Sequence, residues 1–203
     1  MDPLRAIVFY ATGIKEEEFE REAIKFAKFH KLPSESVIPV NCKGPLWKRR
    51  KVVLEALAKR HELEVVAMFC HGWPRRIQFG FNLENVEMLA GAMDDAASTY
   101  AQVILYACSC GRRPGLSPKK RIYYPDSFVG EDSFAYDLAI SCDFGKTVWA
   151  HYDSGHTTRN PFVLVFESYG CIKWMVPPFH KDWARWVKDL KGKKRFNFFE
   201  EGS

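Results

Sequence analysis

The sequence lacks any apolar run approaching the 18 or so residues needed to cross a bilayer, which excludes a helical membrane span. It lacks an internal repeat and a low-complexity linker, so neither a solenoid nor domains on a flexible tether is indicated. It lacks the paired Cys-x2-Cys spacing of structural zinc sites and the Gly-x-Ser-x-Gly elbow of serine hydrolases. Its start, Met1-Asp2-Pro3-Leu4-Arg5, lacks the charged head, apolar stretch and small-residue cleavage site of a secretory leader. A strong excess of one charge sign is also lacking, since 30 Lys and Arg against 25 Asp and Glu leave a net of only +5.

What is present suits a single globular domain over residues 1–203. Hydrophobic residues make up 47% of the chain and charged residues 27%, enough for a sizeable core. Six cysteines (Cys42, Cys70, Cys108, Cys110, Cys142 and Cys171) fall mostly inside or at the ends of apolar runs, with irregular spacing. They read as reduced thiols, and a cytoplasmic location is expected. The basic clusters at 112–121 and 191–195 read as solvated loops and tails rather than as a nucleic-acid surface.

Apolar runs alternate with amphipathic stretches. Residues 4–10 form a continuous apolar run of the kind found in strands buried on both faces. Residues 16–31 predict a helix with Phe19, Ala23, Phe26 and Ala27 on one face. Residues 36–42 predict an edge or irregular strand, because Pro39 cannot donate to a ladder. Residues 45–61 predict a helix with Pro at its start and a Val53, Leu54, Leu57 stripe. A strand is expected over 63–70, then a helix capped by Asn82 and running to about Tyr100, then a strand over 102–108. Ser133 is expected to cap a helix over 134–143, followed by a strand over 146–152. Residues 161–168 suit strand or helix, 171–176 a strand, and 181–190 a terminal helix. Trp174, Trp183 and Trp186 read as packing residues. This alternation predicts an α/β fold, a three-layer α/β/α sandwich with a mainly parallel central sheet.

Parallel sheets place ligand sites at the carboxyl ends of their strands. Two expected strands end there in reactive groups, Cys70-His71-Gly72 and Ala107-Cys108-Ser109-Cys110-Gly111. If both strands are central and parallel, His71 and Cys108 project from one edge. A thiolate attacks carbonyl carbon, and a nearby imidazole can take its proton and later protonate a leaving amine. The N–H groups of Gly72 and Cys108 could stabilise an oxyanion. Cys70 is expected to point to the core, and Cys110 to be a bystander or redox partner.

An apolar block ending in His-Gly, followed by one ending in Ala-Cys, resembles the caspase-like superfamily of cysteine peptidases. That group includes caspases, metacaspases, gingipains, separases, legumains and bacterial CHAT domains. The resemblance spans residues 4–152, and Val148-Trp149-Ala150-His151 is similar to the strand after the catalytic cysteine in bacterial members. It implies a caspase/haemoglobinase-like fold, with His71 as general base, Cys108 as nucleophile, no cofactor or metal, and a peptide or protein substrate. It departs from true caspases. Their signature is Gln-Ala-Cys-x-Gly with a histidine about 50 residues upstream. Here Tyr106 replaces the Gln, Ser109-Cys110 separates Cys108 from Gly111, and His71 lies nearer. Preference for aspartate at the cleavage site does not carry over.

The same residues suit other chemistries. Cys70 and Arg76 have the Cys-x5-Arg spacing of phosphatases, without a glycine-rich cradle. Cys70, His71, Cys108 and Cys110 could together surround zinc. In the polar segment after Tyr152, Asp153 could orient a basic substrate group, and Thr157 or Asn160 could bind substrate backbone. His151, His156 and Ser154 lack the context of a base or nucleophile. The loop 112–121 could be an activation segment cut after a basic residue, or a solvated loop. The alternative to an enzyme is an inactive caspase-like module that scaffolds a partner. The oligomeric state is not specified by any of these features.

Overall fold

The computed structural model describes residues 4–13, 18–117, 129–152, 163–168, 170 and 172–174. In chain order these form β1 (Ala6–Thr12), α1 (Glu18–Phe29), β2 (Val37–Asn41), α2 (Leu46–Leu57), β3 (Leu63–Phe69), β4 (Gly72–Trp73) and β5 (Arg76–Ile77). They continue with α3 (Val86–Ala96), β6 (Ala97–Tyr106), α4 (Phe134–Ser141), β7 (Thr147–His151), β8 (Val163–Glu167) and β9 (Ile172–Trp174).

Among the described residues, seven strands make one sheet in the order β2-β1-β3-β6-β7-β8-β9. The first five are parallel, and β8 and β9 are antiparallel additions at one edge. The continuous apolar runs occupy the middle: Ile7, Val8, Phe9, Val66, Ala67, Met68, Val103, Ile104 and Leu105 are fully buried. Burying a large apolar side chain stabilises by roughly 1.5–3 kcal/mol, so these central strands anchor the fold. The strand with Pro39 lies at the opposite edge, where a missing ladder donor costs least.

Crossover direction sets the layers. From β1 the chain steps one way along the sheet to β2, and every later parallel crossover steps the other way. With right-handed connections, α1 falls on one face and α2, α3 and α4 on the other. The contacts agree: α1 packs on β1, β2 and β3, while α2 packs on α3 and α3 on α4. Helices on both faces of a mainly parallel sheet are consistent with the three-layer arrangement expected above.

The expected apolar stripe of α1 is buried through Phe19, Ala23, Phe26 and Ala27. Ser133 caps α4, its Oγ accepting from Tyr136 N at 3.2 Å. Within residues 161–168, Val163–Glu167 form strand β8. One expectation is corrected. The helix expected from Asn82 to Tyr100 is shorter, with Asn85 at its N-cap position and Ala96 as its last residue. Asn82 instead closes a local turn, donating its N–H to Asn85 Oδ1 and accepting from Glu84 N. Ala97 already pairs with Leu63 in the sheet, and Tyr100 is exposed. The run Ser98-Thr99-Tyr100 favours extended backbone, and pairing with β3 outweighs another helical turn. The helix expected over 181–190, the basic cluster at 191–195, and Trp183 and Trp186 lie outside the described residues. Among the described residues, no helix is long and apolar enough to cross a membrane.

Candidate active site

The site is assembled by the ladder between β3 and β6. Phe69 pairs with Tyr106, and Cys70 N donates to Tyr106 O at 3.4 Å, carrying the pairing one residue further. The offset that pairs Phe69 with Tyr106 also relates His71 to Cys108, so the two reach the carboxyl edge at equivalent positions. Side chains alternate across a strand. Phe69 and Tyr106 stack at 4.2 Å and both meet Phe26 of α1 at 6.0 Å. His71 follows the same alternation, and its ring meets Phe19 of α1 edge-on at 5.0 Å.

Glycine is required beside it. A Cβ on Gly72 would lie 2.6 Å from Cys108 O, 2.8 Å from Ala107 Cβ and 3.0 Å from Ala107 C. The backbone after His71 therefore lies directly against the backbone carrying Cys108. Beyond Cys108 the chain turns sharply at Ser109, which adopts a left-handed φ of 57°. Gly111 N then donates to His151 O at 3.0 Å, fixing this turn to the end of β7.

Sequence reasoning missed the residues that hold His71. Strands β4 and β5 form a tight hairpin directly after it, with Trp73 opposite Arg76. Its return brings Gln78 back to His71: His71 N donates to Gln78 Oε1 at 3.0 Å, and Gln78 N donates to His71 O at 2.9 Å. Arg49 of α2 donates to Gln78 O at 3.0 Å, and Arg50 to Gly80 O at 2.9 Å. The Pro74-Arg75 pair between Trp73 and Arg76 was the available turn signal. The partnership with α2 crosses too much sequence for any local pattern to show.

The thiols divide clearly. Of the five described cysteines, Cys42, Cys70, Cys110 and Cys142 are buried, and Cys108 alone is partly accessible. Burial pushes the Cys70 thiol well above its usual range, and raises Cys110 strongly as well. Cys110 Sγ donates to Ala107 O at 3.2 Å, a structural contact. Cys142 is pushed up to about 12 by burial and by Asp94. Cys70 faces the interior as expected, and the phosphatase spacing has no basis, because Arg76 lies over the Trp73 ring at 4.7 Å and Cys70 is inaccessible. Among the described residues, no group of three or more His, Cys, Asp or Glu side chains could hold a metal ion.

These buried thiols predict alkaline destabilisation. An unfolded thiol ionises near 9.0, whereas folded Cys142 holds its proton to about 12. Above pH 9 the unfolded chain therefore binds fewer protons, and stability falls as pH rises, by at most about 1.4 kcal/mol per pH unit for each such thiol. Urea midpoints measured across this range should decline less steeply in Cys142→Ala. An unchanged slope in that variant would contradict the assignment.

On the other side of Cys108, the Arg112 guanidinium lies 5.9 Å over the Tyr152 ring, with Nε and Nη1 buried and without a hydrogen-bond partner among the described residues. Arg113 is instead neutralised by Glu131 at 3.0 Å and Asp132 at 3.6 Å. Asp153, Thr157 and Asn160, expected to bind substrate, lie outside the described residues, as do Ser154 and His156. His151 is fully buried in β7 and its ring is 6.2 Å from Tyr106, which places it in the core. Comparison of the chain with models of protein families, with curated proteins and with solved structures finds no match.

Proposed function

We propose that the chain is a cytoplasmic caspase-like cysteine endopeptidase, with Cys108 as nucleophile, His71 as general base and no cofactor. The observation that carries this reading is the contact of Gly72 with the Ala107-Cys108 backbone, which joins the histidine and cysteine segments at one sheet edge. The accessibility of Cys108, against four buried thiols, supports it further.

In the proposed cycle, His71 takes the Cys108 thiol proton. The sulfur attacks the peptide carbonyl carbon, and the carbonyl π pair moves to oxygen, where the Gly72 and Cys108 N–H groups meet it. Collapse breaks the C–N bond, and His71 gives its proton to the departing amine. Water then attacks the thioester, passing a proton through His71 to the departing sulfur. This releases a carboxylic acid and restores the thiol.

The test is labelling by a peptidyl acyloxymethyl ketone, which alkylates activated cysteine. Cys108 should be modified in the native chain and nothing in Cys108→Ala. His71→Ala should slow labelling by about a hundredfold, the lower end of general-base contributions. Equal labelling rates with and without His71 would leave only an ordinary exposed thiol. No labelling of a folded native chain would favour the scaffold alternative.

A further inference from the structure

The hairpin that follows His71 and the loop that follows Cys108 meet again outside the reacting pair. Between them lies an open cleft of about 420 Å³, lined by Trp73, Pro74, Arg75, Arg76, Pro114 and Gly115. It starts beside the chemistry, since the Trp73 ring is 6.1 Å from the His71 ring. Its walls are apolar, from one indole and two prolines, and its charges are all positive.

Arg75 and Arg76 are exposed, and neither is in an ion pair with a described residue. The nearby carboxylates are engaged elsewhere: Glu131 and Asp132 are held by Arg113. Asp137 is the remaining acid near Arg75. Burial and Asp132 push its carboxyl upward, and Arg75 pulls it partly back. Arg76 is held in place by stacking on Trp73 at 4.7 Å, so its planar fork loses less freedom when it binds. Such a fork matches a carboxylate through two parallel hydrogen bonds.

We propose that this cleft is a substrate-recognition site for an extended acidic peptide segment, with Arg75 and Arg76 taking Asp or Glu side chains beside the bond presented to Cys108. The substrate class deepens the peptidase reading and rests on it for the cleavage step; binding in the cleft does not require catalysis. An exposed arginine stacked over an exposed indole has no role in the packing of the sheet. The cleft is lined both by the hairpin after His71 and by the loop after Cys108, which makes it the place where a chain crossing the site would continue.

The experiment uses the full chain as Cys108→Ala, with fluorescein-labelled peptides on one Gly/Ser framework carrying Glu, Gln or Lys at the same positions. Fluorescence anisotropy should give the Glu peptide at least about tenfold tighter binding than the Gln peptide, equivalent to 1.4 kcal/mol. Adding Arg75→Glu and Arg76→Glu should remove that preference, and the milder Arg75→Gln with Arg76→Gln should reduce it. The pair Lys28→Glu and Lys59→Glu changes net charge equally and should leave it intact, because both sites are exposed and lie toward the amino edge of the sheet. Equal affinity for Glu and Gln peptides, or equal loss in the lysine pair, would overturn the proposal. Tighter binding of an oligodeoxythymidylate through Arg75 and Arg76 would overturn it too, in favour of nucleic acid. If the ketone probe never labels Cys108 while the Glu preference and its arginine dependence persist, the peptidase reading falls and the cleft stands as a peptide-binding site.

Discussion

Gly72→Ala is expected to damage both stability and reactivity. The new Cβ would meet the carbonyl oxygen of Cys108 at 2.6 Å, and backbone cannot move aside as a flexible side-chain tip can. Overpacking of this kind costs about 1–3 kcal/mol. The strain is relieved only by pushing the histidine and cysteine segments apart, and a displacement of about 1 Å can slow a positioned reaction about a hundredfold. The ketone probe should therefore label Cys108 far more slowly in this variant, even at temperatures where it remains folded. Gly91→Ala is the matched control. Nothing lies within 4 Å of its Cβ position in α3, and alanine there should stabilise by about 1 kcal/mol. Similar labelling rates in the two variants would show that the contact at Gly72 does not position Cys108.

The second large effect concerns the core. Lys146, only 3% exposed, precedes β7 and pairs with Asp94 of α3 at 2.7 Å. The same carboxylate accepts from Asp143 N at 3.0 Å and 3.1 Å, so one side chain joins the end of α3, the end of α4 and the start of β7. Removing one partner of a buried pair leaves the other charge without compensation. Asp94→Ala should therefore cost about 3–5 kcal/mol, read as a fall in Tm of about 10 °C for a domain of this size. The double variant Asp94→Ala with Lys146→Met should recover much of the loss, because no buried charge remains. A loss below about 1 kcal/mol in the single variant would mean that water already solvates the lysine.

Strand positions were legible in the sequence where the physics is local. Runs such as Ala6-Ile7-Val8-Phe9 and Val103-Ile104-Leu105 are apolar on both faces because both faces are covered, and such runs belong to central parallel strands. The stripe of α1 was legible for the same reason. The boundary between α3 and β6 was not, because Ala97 and Tyr100 continue a helical spacing while their neighbours prefer extended backbone. Short paired segments such as β4 and β5 fall below any periodic window. At the candidate site, His71, Gly72 and Cys108 stood out because strand ends concentrate reactive groups. Gln78, Arg49 and Arg112 did not, since each acts through a partner or neighbour brought close only by the fold.

The register between β3 and β6 has a consequence for timing as well as for geometry. His71 and Cys108 reach one edge only after the intervening α3 has crossed over and the two strands have paired in parallel. Parallel pairing is non-local, and its loop must close before the ladder repays that entropy. A chain still being made, or one partly unfolded, therefore carries the two groups far apart. Reactivity of Cys108 would thus serve as a clock for completion of the central sheet, appearing late in refolding and vanishing first when that ladder opens.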